Sequence, residues 1–487
     1  MQVSYFPRRI LVAIFSYSLQ VWDGISDARI TFSASEFNID SNTRQMARLT
    51  ENLNLQRALL HRLASTPSVQ LSDKVKVSKM EREQRGGGIG WPLVHLSDGR
   101  ILRTRLLVGA DGFNSPVRSY AGISSYGWAY DTQAIVATLS HPPRTAFQGP
   151  NTIAYQRFLP TGPIAFLPLS PTVSSLVWST KPPLAAKLVK YDTEILTSMV
   201  NAAFRLPEVS MRYLHGLILE SDGLTPIQVK EEIAWRERSH DIDKYSAYAS
   251  ASSDSATAAG VPPDDSESLP PLVTSIQPGS ITSFPLRYNH ADAYLGEGAG
   301  SRTVLVGDAG HTIHPLAGQG LNMGLGDVES LTRCIEDTVL QGGDIGWFFL
   351  LGLEHTIMTL LIGSYTALKP YAQERYFENH KLMSAVDKLH KLYSSTLEPI
   401  VWARSVGLEV LNEFDTVKAA IMMDAGASTR HGKGDVNTGW NLAAKGVESL
   451  AGGARTVRVV GEGISHLISV GLENLAKASK DMNKDRK

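Results

Sequence analysis

Cysteine is nearly missing from this sequence: Cys334 is the only one in 487 residues. A single thiol excludes an internal disulfide framework, a thiolate metal cluster and a CxxC redox pair, and no metal site is expected. An excess of one charge is missing too. The formal net charge of −1 at pH 7 removes the electrostatic argument for nucleic acid as a partner. Long uninterrupted apolar runs are also lacking. Residues 10–19 are too short to cross a bilayer, and the apolar stretch 347–371 carries Glu354 and His355 in its interior. An acid at the bilayer centre costs roughly 2.5–3.5 kcal/mol, so a buried or membrane-surface helix is expected there.

What is present describes a globular chain. A composition of 43% hydrophobic and 20% charged residues supports a core and a solvated surface, and the length calls for two or three subdomains. The first 22 residues contain Arg8 and Arg9 but no acid, a weak transit-peptide signal.

Residues 20–34 read as strand, Asp23-Gly24 turn, strand. Residues 52–65 place Leu55, Leu59, Leu60 and Leu63 at helical spacing. Residues 94–112 read as a hairpin turning at Asp98-Gly99, its second strand running to Gly109. From 134 to 179 short β-like runs alternate with proline and glycine, which suggests a separate antiparallel sheet. Residues 246–271 are too polar to offset their ordering entropy and are expected to be a disordered surface loop. From Val328 onward the pattern is mostly helical. The tail puts Val460, Ile464, Leu467, Ile468 and Leu475 at helical spacing before a basic cluster ending in Arg486 and Lys487. It suits either a surface-docking amphipathic helix or a solvated terminus.

The chemistry concentrates in two places. In "LVGDAGHTIHPLAGQGLNMGLGD", residues 305–327, an apolar strand ends at Gly307-Asp308. A carboxylate there must be met by backbone amides or by a ligand hydroxyl. Gly318 and Gly320 allow close backbone approach, and a helix starting about Leu321 offers amides to an anion. A sugar hydroxyl at the acid and a negative charge at the helix start describe a flavin, whereas the plainer reading is a glycine-rich turn with a capping acid. In "GADGFNSPVR", residues 109–118, a second strand ends at Gly109 and Asp111-Gly112 and leads into a helix with Ser115 and Arg118. Alone it is a turn signal; its weight comes from the pairing of two such motifs in one chain.

The pair, in this order, resembles the flavoprotein aromatic hydroxylases of the para-hydroxybenzoate hydroxylase fold. Gly307, Asp308, His311, Pro315, Gly318, Gly320 and Asn322 match the second motif of that family, with Gly310 where alanine is usual. The wording "QVWDG", "VHLSDGR", "GPIAFLPL", "HTIHPLAGQGLNMGL", "GGDIG" and "LKPYAQERYFENH" is similar to the ubiquinone-biosynthesis flavin monooxygenases of the eukaryotic mitochondrial Coq6 type.

The resemblance implies an α/β fold: a Rossmann-like FAD-binding domain, an antiparallel-sheet substrate domain and a helical C-terminal region. Expected divisions are 1–133 and 286–330 for FAD, 134–285 for the substrate sheet, 331–428 for helices and 429–487 for the tail. It implies an FAD monooxygenase in which reduced flavin forms a C4a-hydroperoxide and transfers oxygen to a polyprenylated hydroxybenzoate-type ring. Pro315, Gly318 and Gly320 would lie at the flavin's reactive edge and supply no side-chain base. Asp308 and Gly307 would hold the ribityl chain, with Leu321 and Asn322 beside it. Asp111 and Gly112 would lie near the pyrophosphate, and Gln56 near the flavin from a helix. His311 and His314 are candidate acid–base groups, but structural roles fit better because this chemistry needs no histidine base. Implied partners are a ferredoxin and its reductase as electron donor, other ubiquinone-biosynthesis proteins, and peripheral contact with the matrix side of the mitochondrial inner membrane.

The sequence also departs from that pattern. The family's opening strand–GxGxxG–helix is expected to be missing: "RGGGIGW", "GEGAGS" and "GEGISH" each have the wrong spacing or context. Residues 1–19 and 347–363 have no counterpart in the family pattern and are expected to be translated non-coding or splice-variant sequence. These departures give a rival expectation, a non-catalytic isoform serving as a binding or scaffold subunit.

Overall fold

The computed structural model describes residues 14–16, 18–33, 47–85, 88–144, 150–240, 242, 269–341 and 364–413. The expectations for 347–363, for the tail 429–487 and for most of 246–271 lie outside them. The chain begins with β1 (Ile14–Ser16), β2 (Ser18–Asp23), β3 (Arg29–Ser33), β4 (Ala47–Leu49) and α1 (Asn52–Ala64). The Asp23-Gly24 turn forms as expected: Asp23 accepts from the Ile25 N–H at 3.3 Å and the Ser26 hydroxyl at 3.0 Å. Of the segment 1–19, Ile14–Ser16 pairs with β4, while Ser18 and Leu19 lie within β2. Helix α1 also forms, yet none of its residues is buried. Leu53, Leu59 and Leu60 remain exposed.

Next come β5 (Val77–Arg85), β6 (Gly88–Leu96) and β7 (Ile101–Arg103), a small antiparallel sheet. The hairpin expected to run to Gly109 stops short. Thr104 turns the chain, its N–H donating to the Pro92 carbonyl at 3.1 Å and its hydroxyl to the Leu106 carbonyl at 2.6 Å. The following strand β8 (Leu107–Gly109) therefore belongs to another sheet, and α2 (Pro116–Tyr120) follows it.

The largest sheet draws on β9 (Ser125–Ser140), β10 (Ile153–Leu159), β11 (Gly162–Ser170) and β12 (Val173–Thr180). After α3 (Pro182–Lys190), α4 (Thr193–Arg205), α5 (Glu208–Glu220) and α6 (Pro226–Ser239), it resumes with β13 (Ser275–Ile276) and β14 (Thr282–Ala291). Then come β15 (Thr303–Leu305), β16 (His311–Thr312), α7 (Gly320–Leu340), α8 (Ser364–Ser394) and α9 (Glu398–Glu413). The order is β16-β14-β9-β12-β11-β10-β2-β3, with β13 beside β9. The antiparallel sheet expected from about 134 forms, and it is larger than the local pattern suggests. The sheet starts at Ser125, takes β2 in parallel beside β10 and receives β16 from the second glycine-rich motif. Such pairings are long-range, so local periodicity carries no trace of them.

One face of this sheet is covered by α3 to α6, a layer absent from the sequence reading. Two of their starts are written in the sequence: Asp192 caps α4 by accepting from the Glu194 N–H at 2.8 Å, and Thr225 with Gln228 forms a capping box on α6. Ile135, Leu139, Phe166, Leu176 and Trp178 from the strands bury against Met199, Phe204 and Leu214 from the helices. Leu269 joins this core, and its carbonyl accepts from Arg144 at 3.2 Å. The end of the expected disordered loop is thus ordered by packing. The opposite face carries Tyr288, which clusters with Met323 of α7 and Met383 of α8.

Helix α9 is anchored by a buried ion pair. Arg404 reaches Asp23 at 2.9 Å and 3.1 Å and also donates to the carbonyls of Leu392 and Ser395. Removing one partner of such a pair leaves the other charge buried, at about 3–5 kcal/mol. Asp23→Ala should lower the urea unfolding free energy by about that amount, and Arg404→Met added to it should recover part. A single-variant loss below about 1 kcal/mol would refute the anchor.

Candidate functional site

The two Asp-Gly motifs, far apart in sequence, lie side by side. Strand β8 pairs in parallel with β15, Gly109 opposite Leu305, and the Val306 N–H extends the ladder to the Gly109 carbonyl at 2.9 Å. Arg118 bridges the pair, donating to the Ala309 carbonyl at 2.7 Å and to the Phe113 carbonyl at 2.7 Å. Each strand end therefore fixes the loop of the other.

Within the first motif, Asp111 is fully engaged. It accepts from the Ser115 hydroxyl at 2.5 Å and the Val117 N–H at 3.0 Å, which braces the start of α2. Gly112 beside it has φ +85°, a conformation that side chains resist.

Asp308 behaves differently. Its 3-10 turn, Gly307–Ala309, opens with Gly307 at φ +59° and turns the carboxylate outward. No described residue hydrogen-bonds to it. The side chain reaches solvent, yet the surrounding protein pushes its carboxyl above the usual range, opposed by His311. It is an acceptor held ready and not consumed internally.

The loop continues through a second 3-10 turn, Pro315–Ala317, and Gly318 in the left-handed region at φ +60°. Helix α7 then starts at Gly320, one residue before the expected Leu321. Its cap residue Gln319 makes no side-chain capping bond, and no acid occupies the first turn. The leading amides of a long helix thus stay available to an anion. Leu321 is exposed, and the Asn322 amide donates to Gln319 at 3.3 Å. Gln56 is exposed on α1, and no hydrogen bond among the described residues joins it to these loops.

Three residues that the sequence reading passed over hold the arrangement. Asp327 of α7 is fully buried. It accepts from the Gly307 N–H at 2.9 Å, His311 Nε2 at 2.6 Å, Arg375 Nε at 2.9 Å and Asn379 Nδ2 at 3.0 Å. Burial alone would raise its carboxyl, but His311, Asn379 and the Gly307 amide hold it below the usual range. Gly326 admits the Arg375 guanidinium, which would lie 2.9 Å from an added Cβ. His311 is thereby a structural ligand of Asp327, in line with the role favoured from sequence. The overlooked signal was an acid on the same helical face as the apolar Met323 and Leu331. "ERYFENH" supplied its partners.

The chain matches the family model described as an FAD binding domain over residues 24–216 and 268–343. It is 35% identical over 418 residues to the Saccharomyces cerevisiae protein named ubiquinone biosynthesis monooxygenase COQ6, mitochondrial, covering 85% of this chain and 78% of that one. The human protein of the same name is 34% identical, covering 83% and 74%. Among solved structures, p-nitrophenol 4-monooxygenase PnpA from Pseudomonas putida superposes with TM-score 0.55 at 13% identity, covering 86% of this chain and 82% of that one. Klebsiella pneumoniae HpxO, complexed with FAD and uric acid, gives TM-score 0.52 at 14% identity, covering 85% and 81%.

Burial also fixes an acid limit on this fold. It pushes the imidazoles of His215 and His290 down to about 4 and that of His314 to about 3, against about 6.5 when unfolded. Between those values the unfolded chain binds protons that the folded chain refuses. Their contribution is therefore complete above about pH 6.5 and is lost on acidification. His215→Phe, away from the site, should flatten the decline of urea stability between pH 7 and 5 by up to about 1.4 kcal/mol per pH unit. An unchanged slope would mean that His215 is not held neutral.

Proposed function

The chain belongs to the Coq6 family of FAD-dependent monooxygenases, and we propose that it hydroxylates the ring of a polyprenylated hydroxybenzoate-type precursor in ubiquinone biosynthesis. The observation that carries this reading is the unengaged Asp308 carboxylate beside the uncapped start of α7, both locked to the paired strands β8 and β15. Bound FAD, once reduced, supplies the oxygen activation and transfer that no side chain can.

The chain's own residues bind and orient. Asp308 accepts from a ribityl hydroxyl, and the first amides of α7 with Gly320 favour negative charge at the flavin's pyrimidine end. Pro315 and Gly318 shape the loop at its reactive edge, with Leu321 and Asn322 alongside. Asp111 acts on the cofactor indirectly, by holding the first motif in shape. The second face of the large sheet, where Tyr288 packs with Met323 of α7 and Met383 of α8, offers the ring an apolar surface.

Electrons come from a ferredoxin and its reductase, and other proteins of ubiquinone synthesis share the substrate. Among the described residues no helix is long and apolar enough to cross a membrane. Peripheral attachment on the matrix side of the inner mitochondrial membrane suits an apolar prenyl substrate. Carbonate extraction of mitochondria should release the protein; retention in the pellet would count against this.

Purified gently, the full chain should carry FAD near one equivalent by visible absorption and convert a prenylated phenol when a ferredoxin and its reductase are supplied. A colourless protein would favour the binding-subunit alternative, for which the exposed leucines of α1 speak. Asp308→Ala should weaken FAD binding about tenfold to a hundredfold, the usual loss of about 1.5–3 kcal/mol for a hydrogen bond to a charged group. Asp111→Ala should instead lower thermal stability, by about 0.5–2 kcal/mol as for a lost cap. Equal FAD affinity in wild type and Asp308→Ala would remove Asp308 from the flavin site.

A further inference from the structure

His314 lies between β16 and the Pro315–Ala317 turn, which it caps, and is fully buried. Its Nδ1 accepts from the Leu316 N–H at 3.1 Å, so the ring proton must sit on Nε2. That Nε2–H is buried and has no acceptor among the described residues. His390 of α8 is 8% exposed, and its Nδ1 is likewise buried without a partner. The two rings lie 4.5 Å apart between centroids, and the edge of Tyr130 from β9 closes on both, at 5.1 Å and 4.8 Å.

The neighbouring polar groups are already engaged. The Tyr130 hydroxyl donates to Asp387 at 2.9 Å, and Lys391 reaches the same carboxylate at 2.6 Å. Tyr130, which touches both rings, and Ile313, next to His314 in the chain, belong to an apolar and aromatic cluster with Leu382, Tyr288, Met323 and Met383. An unmet donor beside an unmet buried nitrogen, in an apolar and aromatic setting, costs free energy until something fills it. One hydroxyl on an aromatic ring has the matching chemistry.

We propose that His314 and His390 together bind the phenolic hydroxyl of the ring substrate, its oxygen accepting from His314 Nε2–H and its proton donated to His390 Nδ1. The assignment rests on the hydroxylase reading and adds to it the residues that recognise the ring oxygen. It gives His314 a binding role where the sequence favoured a structural one, while His311 keeps its structural place on Asp327. It also fixes the His390 tautomer, with its proton on Nε2.

The test compares a prenylated phenol with its O-methyl ether, which cannot donate. Binding is measured by calorimetry on the full chain with FAD, anaerobically and without reductant so that no turnover occurs. The wild type should prefer the phenol by about tenfold or more, the worth of one hydrogen bond of about 1.4 kcal/mol. His314→Phe and His390→Phe should each reduce that preference to about twofold or less, and His314→Gln, which keeps a donor, should restore part of it. Should a Phe variant fold poorly, imidazole 15N resonances of the wild type provide a second readout: the phenol should shift His314 Nε2 and His390 Nδ1, and the ether should not. Undiminished preference in the Phe variants, or equal binding of phenol and ether by the wild type, would mean that water alone meets these nitrogens, and would overturn the assignment while leaving the hydroxylase reading intact. Failure of both compounds to bind would count against the aromatic substrate itself, and against this assignment with it.

Discussion

The Asp327 carboxylate is the point on which the loop of the second glycine-rich motif depends. It is completely buried, and four donors from two separate stretches of chain converge on it: Gly307 and His311, and Arg375 and Asn379. A lone buried carboxylate would be expelled or protonated; surrounded in this way it stays ionised and locks α7 and α8 to the loop between β15 and β16. The lock explains why Asp308, next to Gly307, can be left unengaged. Its backbone is held by a neighbour, so its own carboxylate need not hold anything.

That division of labour runs through the molecule. Asp111 and Asp327 spend their oxygens on internal donors, and Asp23 spends its own on Arg404. Only Asp308 among these acids faces outward unpaired. The large sheet divides its faces in a similar way. One is sealed by α3 to α6 around Trp178 and Phe166, with no call for chemistry. The other meets α7 and α8 with methionines, tyrosines and the paired imidazoles of His314 and His390, a surface of adaptable apolar contacts and few unmet polar atoms.

Much of this was legible locally. Asp-Gly turns announced the β2–β3 and β6–β7 hairpins, helical spacing announced α1, and the glycine-rich motifs marked both strand ends. The errors share one cause. The strand entering Gly109 alternates like the arm of a hairpin with its neighbours in sequence, but Thr104 redirects it to a partner almost two hundred residues away. The same blindness hid the pairing of β2 with β10 and the layer α3 to α6, although Asp192, Thr225 and Pro226 wrote helix starts into the chain.

The sequence by itself determined where the two special loops form: a strand-end acid, a proline and glycines before a helix, and a second Asp-Gly motif, because those residue types impose backbone conformations and charges wherever they fold. Tertiary structure alone decided which acids remain available. Asp111 and Asp308 sit in nearly identical local sequence, yet one is consumed by Ser115 and Val117 while the other is released by Asp327 and Arg375. Hydrogen-bond satisfaction is settled by whatever the rest of the chain brings within 3 Å, and no local pattern encodes that.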